Sequence, residues 1–164
     1  MPLEEKAIVS LATATAQEVI VELGMQPHPE GGYFVETYRD HPKAGERGVV
    51  TSIYFLLKSG EVSHWHRVDA VEIWNWYAGA PLKLAIAELE GAPPKERLLG
   101  PNVLAGARPQ AVVPAHAWQS ARTLGDWTLV GCVVAPAFSF EGFELAPEGW
   151  EPETGRNEQV TKIR

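Results

Sequence analysis

Gly60-Glu61-Val62-Ser63-His64-Trp65-His66, followed by Glu72 and then Gly79, is the stretch on which the fold turns. Alternate side chains of an extended strand share a face, so His64 and His66 are expected to point the same way. A turn through Arg67-Val68-Asp69 then brings Glu72 back on the adjacent strand to face them. In the returning strand, Val71-Glu72-Ile73-Trp74-Asn75-Trp76-Tyr77, Glu72, Trp74 and Trp76 share one face, and Val71, Ile73 and Tyr77 share the other. Both faces are apolar, so the strand needs cover beyond an opposing sheet. The N-terminal segment or another subunit would supply it, and a homodimer is expected.

Outward from this hairpin the chain continues in short runs rich in Val, Ile, Thr and aromatic residues, at about Gly32–Arg39, Val49–Leu57, Ala70–Ala78, Leu82–Leu89, Gln110–Pro114, Ala117–Arg122 and Trp127–Ala135. Gly- and Pro-rich turns separate them, a spacing that indicates an all-β sandwich or barrel. One helix is expected, over Thr15–Leu23: Thr15 and Glu18 make a capping box, Val19, Ile20 and Leu23 an apolar stripe, and Gly24 the C-terminal cap. A length of 164 residues with 45% hydrophobic content suits one domain. Residues 1–14 and 153–164 read as terminal extensions, and Pro147–Arg164 as an extended or frayed tail.

Composition excludes several classes of function. The formal charge of −7, with no Lys/Arg cluster, argues against nucleic acid. The longest apolar stretch, Leu129–Phe138, is punctuated by Gly131 and Pro136 and is far short of the ~20 residues of a membrane span. The acidic N-terminus, Met1-Pro2-Leu3-Glu4-Glu5-Lys6, is unlike a secretory signal, so a cytoplasmic location is expected. The lone Cys132 lies in an apolar run and reads as a small buried hydrophobe.

Two imidazoles and a carboxylate on one concave surface suit a divalent transition metal with open positions. Val113-Pro114-Ala115-His116-Ala117-Trp118-Gln119 offers a fourth polar group, Gln119, which could ligate the metal or instead hydrogen-bond a ligand and orient an imidazole. These segments resemble the two motifs of the cupin superfamily. The resemblance implies a jelly roll (double-stranded β-helix) and a metal set of His64, His66, Glu72 and Gln119, with zinc, iron, nickel or manganese as the metal. One extra residue between His66 and Glu72, and glutamine where the second motif has histidine, depart from the pattern.

A narrower resemblance, to a bacterial cupin subfamily, rests on His28-Pro29-Glu30-Gly31-Gly32-Tyr33-Phe34, Thr51-Ser52-Ile53-Tyr54-Phe55-Leu56-Leu57, Ser63-His64-Trp65-His66-Arg67, Glu72-Ile73-Trp74, Leu129-Val130-Gly131-Cys132 and Phe140-Glu141-Gly142-Phe143-Glu144-Leu145. That subfamily is similar in fold to dTDP-sugar epimerases, which implies a homodimer. His66 and Glu72 are the candidate catalytic groups. Arg67, Trp118, Gln119, His28, Glu30 and Tyr33 are candidate ligand contacts, and Tyr33 or Tyr54 is the candidate proton donor of an epimerase-like site. Two functions follow: a small-molecule enzyme, metal-assisted or isomerase-like and acting on a substrate such as a sugar derivative, or a non-catalytic module that binds a small metabolite.

Overall fold

Hydrophobic alternation in this chain resolves into two antiparallel sheets. The computed structural model describes residues 11–89 and 91–153. The elements are α1 (Ala16–Leu23), β1 (Gln26–Pro27), β2 (Tyr33–Arg39), β3 (Thr51–Lys58), β4 (Val62–Val68), β5 (Val71–Gly79), β6 (Leu82–Ala87), β7 (Lys95–Leu99), β8 (Gln110–Val113), β9 (Trp118–Thr123), β10 (Trp127–Ala135) and β11 (Phe143–Leu145), with two short 3-10 turns. One sheet has the order β1-β2-β3-β10-β5-β8, the other β11-β4-β9-β6-β7. Consecutive strands β4 and β5 therefore lie in opposite sheets, and the turn between them places His66 and Glu72 across the sandwich rather than side by side. This is the jelly-roll β-sandwich expected from the sequence.

The inner faces meet in a core of Phe55, Leu57, Trp74, Leu82, Leu84 and Val130. Outside the six-stranded sheet, α1 lays Val19 and Ile20 on Leu56, Trp127 and Leu129. The capping box forms as expected: the Thr15 hydroxyl accepts the Glu18 N–H, and Glu18 accepts the Thr15 N–H at 2.7 Å. Gly24 closes the helix at φ 64°. The outer flank of β5 and β8 beyond the helix leaves Val71, Tyr77 and Val112 exposed in the single chain.

Besides the two-residue β1, two strands escape the sequence reading. β7 carries Lys95, Glu96 and Arg97 on a sheet edge, where pairing does not require an apolar face. β11 has only three residues, yet it pairs with β4 through Phe143, Glu144 and Leu145. The tail expected to be extended or frayed from Pro147 is tied to the sandwich by Trp150, which packs on Trp118 with ring centroids 4.5 Å apart. The rest of that tail, 154–164, and 1–10 of the N-terminal extension lie outside the described residues.

Candidate functional site

The His28–Gly32 turn is the wedge that builds the site. Gly31 and Gly32 have φ of 105° and 76°, a region that costs a side chain dearly, and a Cβ on Gly31 would run into the Val62 carbonyl. Free of that obstacle, the turn presses between β3 and β4. The Glu30 carbonyl accepts the His64 N–H at 2.8 Å, and the Glu30 side chain is driven inward to 8% exposure. Its carboxyl accepts the Ser63 hydroxyl at 3.0 Å and meets His66 Nε2 at 3.1 Å, with His28 Nδ1 farther off at 3.7 Å.

A bulge in β4 decides which histidine faces Glu30. Ser63 pairs with Ala121 and His66 with Gln119, so three steps on β4 match two on β9. The extra residue shifts the alternation: Ser63, His66 and Val68 are buried, whereas His64 is only half-buried and gives its Nε2 to the Pro147 carbonyl at 2.9 Å. The expectation that His64 and His66 share a face is therefore corrected, because strict period two fails at this bulge. His66 Nδ1 lies 2.8 Å from the His64 carbonyl, which makes it the protonated nitrogen and leaves Nε2 to face Glu30.

From the opposite sheet β5 brings Glu72 and Trp74. The Gln119 amide donates to Glu72 Oε2 at 2.7 Å, and Trp74 Nε1 donates to Gln119 Oε1 at 2.9 Å, both buried. Cys132, directly opposite Trp74 on β10, lines the same cavity as Glu72. Read from its apolar run alone, Cys132 is a core residue; its pairing with Trp74 is what turns it to the site, and pairing is not legible in one sequence.

His28, Glu30, His66, Glu72 and Cys132 line one cavity of ≈ 70 Å³, walled otherwise mainly by apolar side chains, Phe34, Phe55 and Phe138 among them. Burial sets the charge there. It raises Glu30 to about 7 against the pull of His28 and Ser63, and it raises Glu72 to about 7, helped by the like charge of Glu30 and opposed by His66, Gln119 and Cys132. Burial pushes His28 and His66 below the usual imidazole value and the Cys132 thiol well up. Near neutral pH one site thus holds two carboxyls poised between their charged and neutral forms beside two imidazoles that burial holds toward neutrality. At the mouth, Arg39 Nε and Nη2 grip Glu36 and Nη1 holds the Phe138 carbonyl at 3.0 Å.

Several expected contacts lie elsewhere. Arg67 and Trp118 sit on the outer face of the five-stranded sheet, the guanidinium 4.7 Å from the ring centroid and its Nε 2.6 Å from Glu144, because alternation turns both outward when His66 and Gln119 turn in. Tyr33 and Tyr54 pack on the outer side of the six-stranded sheet beside the helix cluster. Among the described residues no tyrosine lines the cavity, so the tyrosine donor of an epimerase-like site is corrected as well. The sequence reading missed Ser63, Cys132 and the mouth residues Glu36, Arg39 and Phe138.

The divalent metal implied by the cupin resemblance does not fit the four donors expected for it. His64 is outside the cavity, the Gln119 oxygen already accepts the Trp74 N–H, and the amide nitrogen has no lone pair to give. Among the described residues no group of three or more His, Cys, Asp or Glu is arranged to hold a metal ion.

Two antiparallel sheets rolled around an inner cavity, with a histidine from one sheet facing a glutamate from the other, define a cupin. The chain belongs to the family described as Cupin superfamily (DUF985), which matches residues 17–146. It is similar to a Shewanella oneidensis protein of known crystal structure, with 37% identity and a TM-score of 0.75 over 81% of this chain and 85% of that one. It is also similar to a hypothetical protein from Leishmania major, with 31% identity and a TM-score of 0.72 over 81% and 88%. A variant of Bacillus subtilis oxalate decarboxylase, 16% identical with a TM-score of 0.56 over 73% of this chain and 29% of that one, shares the fold. No curated protein matches the chain. Among the described residues no helix is long and apolar enough to cross a membrane.

Proposed function

We propose that this cupin is an enzyme that moves a proton on a small molecule bound in the cavity, with the Glu30–His66 couple and Glu72 as its acid–base groups. The observation that carries the reading is the 3.1 Å contact between His66 Nε2 and Glu30 Oε2 inside the cavity, with both groups buried. Because Nδ1 keeps its proton on the His64 carbonyl, Nε2 is the ring nitrogen that exchanges one. The proton between the couple resides on Glu30 when His66 is neutral and on His66 when Glu30 is ionised. A substrate C–H or O–H gives its proton to Nε2 or to an ionised Glu72, and a protonated Glu30 or Glu72 returns one elsewhere on the molecule. No net proton is consumed, as in isomerisation through an enol. Two carboxyls near 7 keep both partners of the exchange populated at neutral pH.

The test is deuterium incorporation, followed by NMR in heavy water, across a panel of small carbonyl compounds with neutral, cationic and anionic head groups. Glu30→Gln and His66→Gln are each expected to slow exchange roughly 10²–10⁴-fold, the usual contribution of a positioned acid or base. Exchange that persists in both variants overturns the reading. Compounds that bind without any exchange make the protein a binding module instead.

A further inference from the structure

We propose that the molecule this cavity takes is a small organic monocation, an alkylammonium head group, and not a carboxylate or a phosphorylated sugar. The inference rests on the cavity being the functional site, and it adds what that site selects.

Size sets the first limit. At ≈ 70 Å³ the cavity gives room for a head group and little more. Drug-sized ligands occupy cavities of roughly 300–1,000 Å³, and a nucleotide-linked sugar is larger than most of them. Charge sets the second. Two carboxyls, Glu30 and Glu72, are buried in the wall of this one cavity, and the charge of Glu30 bears on Glu72. The arginine that reaches the cavity, Arg39, has Nε and Nη2 committed to Glu36 and Nη1 to the Phe138 carbonyl. Among the described residues the lining holds no other Lys or Arg, and the two imidazoles are held toward their neutral forms by burial. An anion entering here would be desolvated beside two acids with no counter-ion, which disfavours it strongly.

A cation meets the opposite situation. It supplies the counter-charge that lets Glu30 and Glu72 ionise within an apolar wall, and the negative faces of phenyl rings attract it further. Phe34, Phe55 and Phe138 line the same cavity, and Phe138 stands at the mouth beside the neutralised Glu36–Arg39 pair. Buried carboxyls in an aromatic chamber, with the sole guanidinium spent at the entrance, are the parts of a site for a soft organic cation.

Three probes of similar shape separate the possibilities: tetramethylammonium, tert-butanol and pivalate, each titrated calorimetrically into the full chain after treatment with EDTA. Tetramethylammonium is expected to bind about tenfold or more tighter than tert-butanol, the margin of a desolvated cation over aromatic rings. Pivalate is expected not to bind. Glu30→Gln and Glu72→Gln should erase the preference for the cation while leaving the weak affinity for tert-butanol, which also reports that the variants are folded. Equal affinity for the cation and the alcohol, binding of pivalate, binding of none of the three, or a site filled only by a divalent metal ion would each overturn the proposal. Deuterium exchange reads proton transfer whatever the charge of the compound. Exchange that depends on His66 but shows no preference for cations therefore fails this inference alone.

Discussion

The two faces of β4 and β9 are built from neighbouring residues and live in different solvents. Inside, Ser63, His66 and Gln119 are buried at 0%, 2% and 1% exposure, each tied into a chain that runs through Glu30, Glu72 and Trp74. Outside, Arg67 lies over Trp118 and pairs with Glu144, and Trp150 covers the ring from the C-terminal segment. Both faces combine an aromatic residue, a charged or titratable group and a carboxylate. What differs is water. Inside, a carboxyl reaches neutrality by rising to about 7; outside, charge is kept and paired. On the proposed reading, the same residue types serve proton exchange on one face and ordinary surface packing on the other.

The largest expected difference between the faces is in stability. Trp74→Phe removes the donor that satisfies the buried Gln119 oxygen and leaves a void beside Phe55, which packs edge-on to Trp74 at 5.9 Å. An unmet buried acceptor and a partial cavity together should cost about 2–4 kcal/mol. Trp118→Phe keeps a ring for Arg67 and Trp150 in a half-buried place and should cost about 1 kcal/mol or less. Urea denaturation of the two variants measures the gap. Equal losses would mean that the outer aromatic cluster is as integral to the fold as the inner one.

A second difference appears with pH. Burial pushes the Glu72 carboxyl up to about 7 from an ordinary value of 4.5. The folded state therefore holds its proton more tightly than the unfolded state does, so the group's contribution to stability is full below pH 4.5 and is lost as pH rises through about 7. Glu72→Gln cannot ionise yet still offers an oxygen to the Gln119 amide. Between pH 5 and pH 8 its stability should rise relative to the unmodified protein by up to roughly 3 kcal/mol. Urea midpoints at several pH values give the answer, and a stability difference that is flat with pH would show that Glu72 is already ionised in the fold.

What the sequence made legible follows the same division. The strands of the sandwich and the capped helix were readable because each rests on local rules: β10 spans Trp127–Ala135 as its apolar run indicates, and Thr15, Glu18 and Gly24 cap α1. His66 and Glu72 were readable from spacing, and the structure places both in the cavity, with His28 and Glu30 alongside. His64 is misplaced because a bulge in β4 depends on pairing with β9, whereas Arg67 and Trp118 point outward by ordinary alternation once His66 and Gln119 face in. Tyr33 and Tyr54 went astray because Tyr33 alternates with Phe34 and Tyr54 with Phe55, and in each pair the phenylalanine faces inward while the tyrosine joins the helix cluster. No local pattern tells which parity is the inner one until the glycine turn at Gly31 and Gly32 has fixed where β2 begins. The mouth, made by Arg39 and Phe138 from residues far apart in the chain, left no trace in either segment.

The smallest effect is the sharpest check on the claim that the outer face is only a surface. Arg67 and Glu144 are 40% and 55% exposed and touch at 2.6 Å. Water screens such a pair, so a double-mutant cycle with Arg67→Met and Glu144→Gln should give a coupling of about 0.2–1 kcal/mol. Most of it should vanish by 1 M salt, where the screening length falls to about 3 Å. The stacking of Arg67 on Trp118 is less exposed to screening and should survive, so Arg67→Met should retain a small cost at high salt that Glu144→Gln does not share. A coupling above about 2 kcal/mol that resists salt would mean that these charges are shielded from water. In that case the outer tryptophans would be covered in solution by something other than the chain described here, and the contrast between the two faces would dissolve.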